Sequence, residues 1–166
     1  MKRIFHLLLI AVLAVSCIKE GGSGADLKAG DMIPDFHVTM NDGAEVSASY
    51  LREGVSVIVF FATVCPDCRR TMPQLQKVYD EYFPKGVKFA FISRAEGEAV
   101  VGKYWKDNGY VMPYSPQEDR DVYELFANSG IPRVYVCKMG VIKSVFSDSP
   151  VPTYEDVDSA LEPLLN

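Results

Sequence analysis

The 166-residue sequence predicts an α/β fold in which a central mixed sheet is flanked by helices on both faces. The first observation is a nearly continuous apolar run over residues 55–62, which is typical of a strand buried on both faces. The second is that strand-like and helix-like patterns alternate after this run. The third is a closing pair of strands at 134–137 and 141–146, whose hairpin-sized connection makes the sheet mixed rather than all parallel.

The other elements follow from local patterns. Asn41-Asp42-Gly43 is a strong turn signal and predicts a β-hairpin extension within residues 31–47, at the N-terminal side of the domain. Apolar side chains at three- and four-residue steps predict a helix from residue 66 to about 83. The remaining predictions are a strand at 87–92, a helix at 98–108 capped by Gly109, a helix at 119–128 and a last helix at 154–165.

The first 17 residues have the pattern of a targeting signal. Lys2 and Arg3 precede an apolar run over residues 4–15, which is too short to span a bilayer and fits a secretory signal. Small or aliphatic residues then lead to Cys17, an order that resembles a bacterial lipobox, with Ala14 where Leu is more usual. The resemblance implies cleavage before Cys17 and lipidation of its thiol. An ordinary secretory signal is the alternative.

These patterns divide the chain into three predicted parts. They are a lipoprotein signal over residues 1–17, a flexible Gly-rich linker over 18–28 and one domain over 29–166. Lipid on Cys17 would anchor the protein to a membrane without spanning it. The formal net charge of −5 argues against a nucleic-acid partner, which would select a basic face.

Cys65 and Cys68 form a C-x-x-C pair at the start of the helix predicted from residue 66. Residues three apart lie on one helix face, and the positive end of the helix stabilises a thiolate there. Because the thiolate is the nucleophile in disulfide exchange, the spacing predicts that the exposed Cys65 attacks and the shielded Cys68 resolves. A purely structural disulfide is a poor explanation, since so short a loop removes little chain entropy.

A zinc site is the other chemistry that C-x-x-C permits. Two further ligands would have to come from Cys137, His37 or His6, and His6 leaves with the signal. Cys137 lies in an apolar strand and is predicted to be a buried small hydrophobe. His37 is predicted to be a surface or packing residue. We therefore expect no metal.

Several separated motifs carry a family resemblance. VIVFFATVCPDCRRTMP over residues 57–73 resembles the thioredoxin-like TlpA/ResA group of extracytoplasmic thiol–disulfide oxidoreductases. So do GDMIPDF over residues 30–36, Gly130-Ile131-Pro132 before a strand, and Gly140-Val141-Ile142 at the start of the next. The resemblance covers nearly all of residues 29–166. It implies a thioredoxin-like fold and a cis Ile131–Pro132 bond packed against the dithiol.

The resemblance also implies a biological setting. The protein would exchange disulfides with proteins of the bacterial cell envelope, on the periplasmic side, and reduction is the favoured direction. An envelope dithiol protein would supply the electrons, no cofactor would be needed beyond the Cys65–Cys68 disulfide, and a monomer is expected. The surface that meets the substrate would consist of Val64, Pro66, Asp67, Ile131 and Pro132.

The sequence also departs from the family. Val64 replaces a common Trp, Thr71 stands where ResA-like members carry Glu, and Val59 stands where thioredoxin carries a buried Asp. Asp67 should disfavour a Cys65 thiolate by repulsion between like charges. Arg69 and Arg70 could offset Asp67 by folding back, but a solvated helix face is the prediction. The redox potential is therefore not predicted.

Three alternative functions remain at this stage. A peroxiredoxin would want Thr or Ser three residues before the Cys and Pro seven before it, where Ala62 and Ile58 stand, and Thr63 is one residue out of place. A thioredoxin-like lipoprotein could bind a partner without catalysis, although the intact dithiol argues against this. A copper chaperone of the Sco group would want C-x-x-x-C spacing and a histidine after His37, and the sequence has neither.

Overall fold

The computed structural model describes residues 26–165. Seven strands and five helices follow one another along this part of the chain. They are β1 (His37–Thr39), β2 (Glu45–Ser47), α1 (Ala48–Leu51), β3 (Val55–Phe61), α2 (Pro66–Tyr82), β4 (Lys88–Ser93), α3 (Glu98–Asn108), β5 (Tyr114–Ser115), α4 (Asp121–Glu124), β6 (Arg133–Lys138), β7 (Val141–Phe146) and α5 (Tyr154–Leu161). Short 3-10 turns follow α2 and α5.

The main sheet has five strands in the order β5-β4-β3-β6-β7. β3 pairs in parallel with β4 and antiparallel with β6, so the sheet is mixed as predicted. β1 and β2 form a separate antiparallel hairpin around the predicted turn, with Val38 opposite Val46. The predicted fold class, including the N-terminal hairpin extension, is confirmed.

One edge of the main sheet gathers the chain segments that matter for function. β3 ends there at Phe61 and β4 ends at Ser93, while β6 begins at Arg133, which pairs with Phe60. The loop to α2, the loop to α3 and the loop before β6 therefore meet. We call this the dithiol edge, because Cys65 and Cys68 follow β3 directly.

The core lies on both faces of β3, whose seven residues are all buried. On one face the Phe60 ring packs against the rings of Tyr123, Phe126 and Tyr135, at centroid distances of 5.5, 4.9 and 6.3 Å. On the other face Phe61 packs against Trp105 at 4.9 Å. A strand buried on both sides explains why its sequence is continuously apolar rather than alternating.

The largest differences from the predicted elements lie in short helices. The helix predicted at 119–128 is reduced to α4, and the helix predicted at 154–165 ends at Leu161 before a 3-10 turn. In the segment that follows α4, the Phe126 carbonyl accepts from Leu27 N–H at 2.9 Å and from the Tyr135 hydroxyl at 3.1 Å. α1 and the two-residue β5 were not predicted.

The described chain enters the domain at the dithiol edge. The Asp26 carboxylate accepts from Asn128 N–H at 2.7 Å and forms an ion pair with Arg133 at 3.2 Å. The predicted signal, the lipidation site Cys17 and His6 lie outside the described residues, so the predicted boundaries stay predictions. Within residues 26–165, no helix is both long enough and apolar enough to cross a bilayer.

Candidate active site

Cys65 occupies the N-cap of α2, the last residue before the helix begins. Its backbone is extended, and its sulfur accepts from Cys68 N–H at 3.5 Å, so the sulfur lies against the helix start. Pro66 fills the first helical position, where the missing N–H costs nothing. Asp67 follows in the first turn, where the helix dipole favours an acid.

The two thiols differ in their exposure. Cys65 is partly exposed, whereas Cys68, one helical turn further in, is 1% exposed. Burial raises the pKa of the Cys68 thiol well above its ordinary range, because a thiolate is poorly solvated there. A backbone hydrogen bond with Ala62 and the charge of Arg94 oppose this effect in part. The geometry thus provides one reachable sulfur and one sheltered, protonated sulfur.

The loop before β6 packs against Cys65. The Ile131–Pro132 peptide bond is cis, as the family resemblance implied, and the Cys65 thiol donates to the Ile131 carbonyl at 3.5 Å. Tyr123 holds the preceding residue, since its hydroxyl donates to the Gly130 carbonyl at 2.9 Å. The described structure therefore brings the dithiol and the Ile131–Pro132 bond into contact across 66 residues of sequence.

The other predicted substrate-contact residues flank the dithiol. Val64, beside Cys65, is 74% exposed and presents an aliphatic side chain next to the dithiol. Pro66 and Asp67 lie in the first turn of α2. Whether any of them contacts a substrate stays a prediction.

The two arginines after Cys68 are exposed, as predicted for a solvated helix face, and both also fold back onto neighbouring groups. Arg70 forms an ion pair with Asp67, although its side chain is 69% exposed. Arg69 Nε donates to the Thr63 carbonyl at 2.6 Å, and its guanidinium lies 5.9 Å from the Tyr104 ring centroid. The physical reason is spacing: one helical turn places Arg70 beside Asp67, and Arg69 faces the loop that precedes Cys65.

Positions 59 and 71, where related proteins carry a carboxylate, hold no acid in this chain. Val59 is fully buried in β3. The Thr71 hydroxyl donates to the Asp67 carbonyl at 3.0 Å, within α2. The charged group that acts on Cys68 is instead Arg94, whose guanidinium lies 5.1 Å from the Tyr123 ring centroid.

The zinc candidates do not converge. Cys137 is fully buried in β6, as predicted, and His37 is an exposed residue paired with Glu45 in the hairpin. Among residues 26–165, no three His, Cys, Asp or Glu side chains come together in a way that could hold a metal ion.

Glu96 is the residue of this region that sequence reasoning missed. Its carboxylate, from the loop between β4 and α3, accepts from Thr63 N–H at 2.6 Å, from the Thr63 hydroxyl at 3.2 Å and from Val64 N–H at 3.4 Å. A sequence signal existed, because polar residues after two adjacent parallel strands reach the same sheet edge. The hydroxyl of Thr63 is thus engaged with Glu96, which removes the feature that resembled a peroxiredoxin.

Comparison with known proteins decides the family. The sequence profile of the redoxin family matches residues 28–161. The chain belongs to the redoxin family. This redoxin is 31% identical to the thiol-disulfide oxidoreductase ResA of Oceanobacillus iheyensis, over 80% of this chain and 72% of that relative. It is 26% identical to ResA of Geobacillus kaustophilus, over 80% of this chain and 76% of the relative.

A solved structure agrees with this assignment. The thiol:disulfide interchange protein of the thioredoxin family from Chlorobium tepidum is 25% identical, with a TM-score of 0.69, over 86% of this chain and all of that one. The thioredoxin-like fold of this redoxin and its ResA-type thiol–disulfide oxidoreductase activity are therefore established by similarity, and the enzyme class is the one predicted.

Proposed function

We propose that this redoxin reduces disulfides of cell-envelope proteins through Cys65 and Cys68. The observation that carries the proposal is the pairing of a reachable Cys65 with a buried Cys68, beside the loop of Ile131 and Pro132. A two-step exchange requires a nucleophile that the protein substrate can reach and a resolving thiol that it cannot reach.

The proposed reaction transfers two electrons to the substrate. The Cys65 thiolate attacks one sulfur of the substrate disulfide, forms a mixed disulfide and releases the other substrate sulfur as a thiolate. Cys68 then loses its proton and attacks the Cys65 sulfur. The Cys65–Cys68 disulfide forms and the second substrate thiol leaves reduced. A dithiol protein of the envelope would return the enzyme to its dithiol form, and no bound cofactor is required.

Val64, Pro66, Asp67, Ile131 and Pro132 would form the surface that meets the substrate. Pro132 has no N–H to give to the sheet, so the ladder stops there and an extended substrate segment could lie beside this loop. The exposed Val64 side chain would give the substrate an apolar contact at the other side of Cys65.

The proposed location is the periplasmic side of a bacterial membrane, with lipid on Cys17 as the anchor. The supporting observations are the basic start, the apolar run over residues 4–15 and the lipobox-like residues before Cys17. Labelling of cells with a radioactive fatty acid tests this part: wild type takes up label and Cys17→Ser does not.

Trapping tests the exchange itself. Cys68→Ser leaves the mixed disulfide without a resolving thiol, so this variant should accumulate in cells as a covalent complex that dithiothreitol releases. Cys65→Ser/Cys68→Ser is the matched control and should trap nothing. The proposal fails if Cys68→Ser forms no complex although its Cys65 reacts freely with iodoacetamide. The redox state of the wild-type dithiol in cells then gives the direction: a reduced dithiol supports a reductase, and an oxidised one contradicts it.

A further inference from the structure

Thr63 lies between two charged side chains at the dithiol edge. The segment Ala62–Val64 links β3 to Cys65, and Thr63 in its middle is 5% exposed. Its N–H and hydroxyl donate to the Glu96 carboxylate, while its carbonyl accepts from Arg69. Every polar group of this buried residue is therefore satisfied by a charged partner, and such hydrogen bonds are stronger than neutral ones.

The two charged groups come from different parts of the fold. Arg69 belongs to α2, immediately after the dithiol, whereas Glu96 follows β4 and is 33 residues away from Thr63 in sequence. The pair thus ties the segment before Cys65 both to the helix that carries Cys68 and to the neighbouring strand. The two peptide units on either side of the Thr63 Cα atom are thus held, and they have little freedom to rotate.

The backbone around Glu96 is itself fixed. Ser93 Oγ donates to the Glu96 carbonyl at 2.6 Å, and Gln117 N–H donates to the same carbonyl at 3.2 Å. The preceding residue, Ala95, has φ of +60°, a left-handed conformation that a side chain disfavours. Such a conformation persists only where the surrounding structure holds it, so the loop that carries Glu96 is fixed.

We propose that Glu96, with Arg69, is a positioning residue for disulfide exchange: it fixes the 62–64 segment and thereby aims the Cys65 sulfur and the Val64 side chain at the substrate. The inference rests on the proposed role of Cys65. Exchange needs the attacking sulfur to approach along the axis of the substrate disulfide, so a small displacement of Cys65 slows the reaction strongly. The Val64 N–H is taken by Glu96, so backbone pairing with the substrate falls to the loop of Ile131 and Pro132.

The geometry separates two kinds of reaction. A protein disulfide is large and must meet Cys65, Val64 and the Ile131–Pro132 loop together, whereas iodoacetamide is small and needs only a reachable thiolate. Loss of the Glu96 carboxylate should therefore impair protein-disulfide reduction much more than alkylation. A residue that merely supported folding would impair both in parallel.

The experiment compares Glu96→Gln, Glu96→Ala and Arg69→Gln with wild type, using insulin as the disulfide probe and iodoacetamide as the small probe. In Glu96→Gln the amide keeps the size of the side chain but directs a donor group or a weaker acceptor at Thr63. We expect the second-order rate constant for insulin reduction to fall by about tenfold or more, while the alkylation rate of Cys65 changes by less than about twofold.

Glu118→Gln is the matched control. Glu118 is exposed, and its carboxylate lies beside Gly97, the residue after Glu96. Its replacement by Gln removes the same charge as Glu96→Gln does. Its insulin rate should equal that of wild type. The double variant Glu96→Gln/Arg69→Gln should lose less insulin-reduction rate than the two single losses combined, because both side chains hold the backbone of Thr63.

The outcomes are distinguishable. Equal rates of insulin reduction in wild type and all Glu96 variants overturn the inference alone, as does a parallel loss of insulin reduction and alkylation. A wild-type protein that reduces no disulfide although Cys65 alkylates overturns the proposed function and the inference with it. Thermal unfolding of each variant shows that the comparison is made between folded proteins, and Arg69→Gln tests the same segment should Glu96→Ala fail to fold.

Discussion

Cys68 is the residue whose chemistry depends most on its surroundings. A thiolate is the species that resolves a mixed disulfide, yet burial keeps this thiol protonated by raising its pKa. Protonation protects it from solvent oxidants until Cys65 carries a substrate. Arg94 supplies a positive charge in the same region, which favours the thiolate at the moment of attack.

Arg94→Gln should therefore slow resolution. Loss of the positive charge disfavours the Cys68 thiolate, so a mixed disulfide between Cys65 and glutathione should persist about three- to tenfold longer. Acid quenching followed by mass spectrometry measures its lifetime. Arg120→Gln is the control, since Arg120 also lies over the Tyr123 ring, at 5.4 Å, but is paired with Glu124. A lifetime unchanged in Arg94→Gln would contradict this role.

The residues of the site were predictable to different degrees. Cys65 and Cys68 could be found because their spacing is local, and Ile131–Pro132 because it resembled a family motif. Glu96 could not be paired with Thr63, since that contact depends on how the loop after β4 returns to the sheet edge. The sequence places Arg70 within reach of Asp67, but it could not show that the two would pair, because it does not tell whether water outcompetes the ion pair.

Among the elements, α3 shows the closest agreement between pattern and structure. The predicted helix and the observed one both span residues 98–108. Gly109 ends it with φ of +68°, and its N–H bonds back to the last turn. A left-handed residue is needed there to close the helix, and glycine adopts it without a steric penalty.

Gly109→Ala should destabilise the fold by about 1 kcal/mol, from the cost of a left-handed side chain. No atom lies within 4 Å of the added methyl carbon, so the loss has no contribution from a clash. Urea unfolding followed by circular dichroism measures it. Gly109→Asn should lose less stability than Gly109→Ala, because asparagine tolerates the left-handed conformation better than alanine does. Equal stability of wild type and Gly109→Ala would contradict the assignment.

The elements that the sequence predicted poorly are those shaped by distant partners. Continuous apolar runs identified β3 and β4 because a buried strand leaves a clear pattern. The segment after α4 is held by partners far from it in sequence, since Leu27 and Tyr135 both donate to the Phe126 carbonyl. β5 has two residues and is defined only by its pairing with β4, so no local pattern could reveal it.

At the scale of the whole molecule, two buried thiols should lower the free energy of unfolding at alkaline pH. The pKa of Cys68 and that of Cys137 both lie above the 9.0 of an exposed thiol, Cys137 at about 12, because burial disfavours the thiolate. Above pH 9 the unfolded chain therefore binds fewer protons than the folded chain. Each thiol then lowers the free energy of unfolding by up to about 1.4 kcal/mol per pH unit, whereas below pH 9 it has no such effect.

Urea titrations of the reduced protein between pH 7 and about pH 10.5 test this dependence. Cys137→Ala is the matched variant, since it removes one of the two thiols from β6 without touching the dithiol. Its unfolding free energy should fall less steeply above pH 9 than that of wild type, whatever its stability at pH 7. Parallel slopes would show that Cys137 ionises as freely in the folded protein as in the unfolded chain.

The contact of Asp26 with Asn128 and Arg133 has a consequence for how the protein would search for partners. Those two residues flank Ile131 and Pro132, so the chain leaves the domain next to its reactive sulfur. Eight residues lie between Cys17 and Asp26, and the nine Cα–Cα steps reach at most about 30 Å. With lipid on Cys17, encounters would be confined to a thin layer above the bilayer. Membrane proteins within that layer would meet Cys65 at a raised effective concentration, and freely diffusing proteins would not.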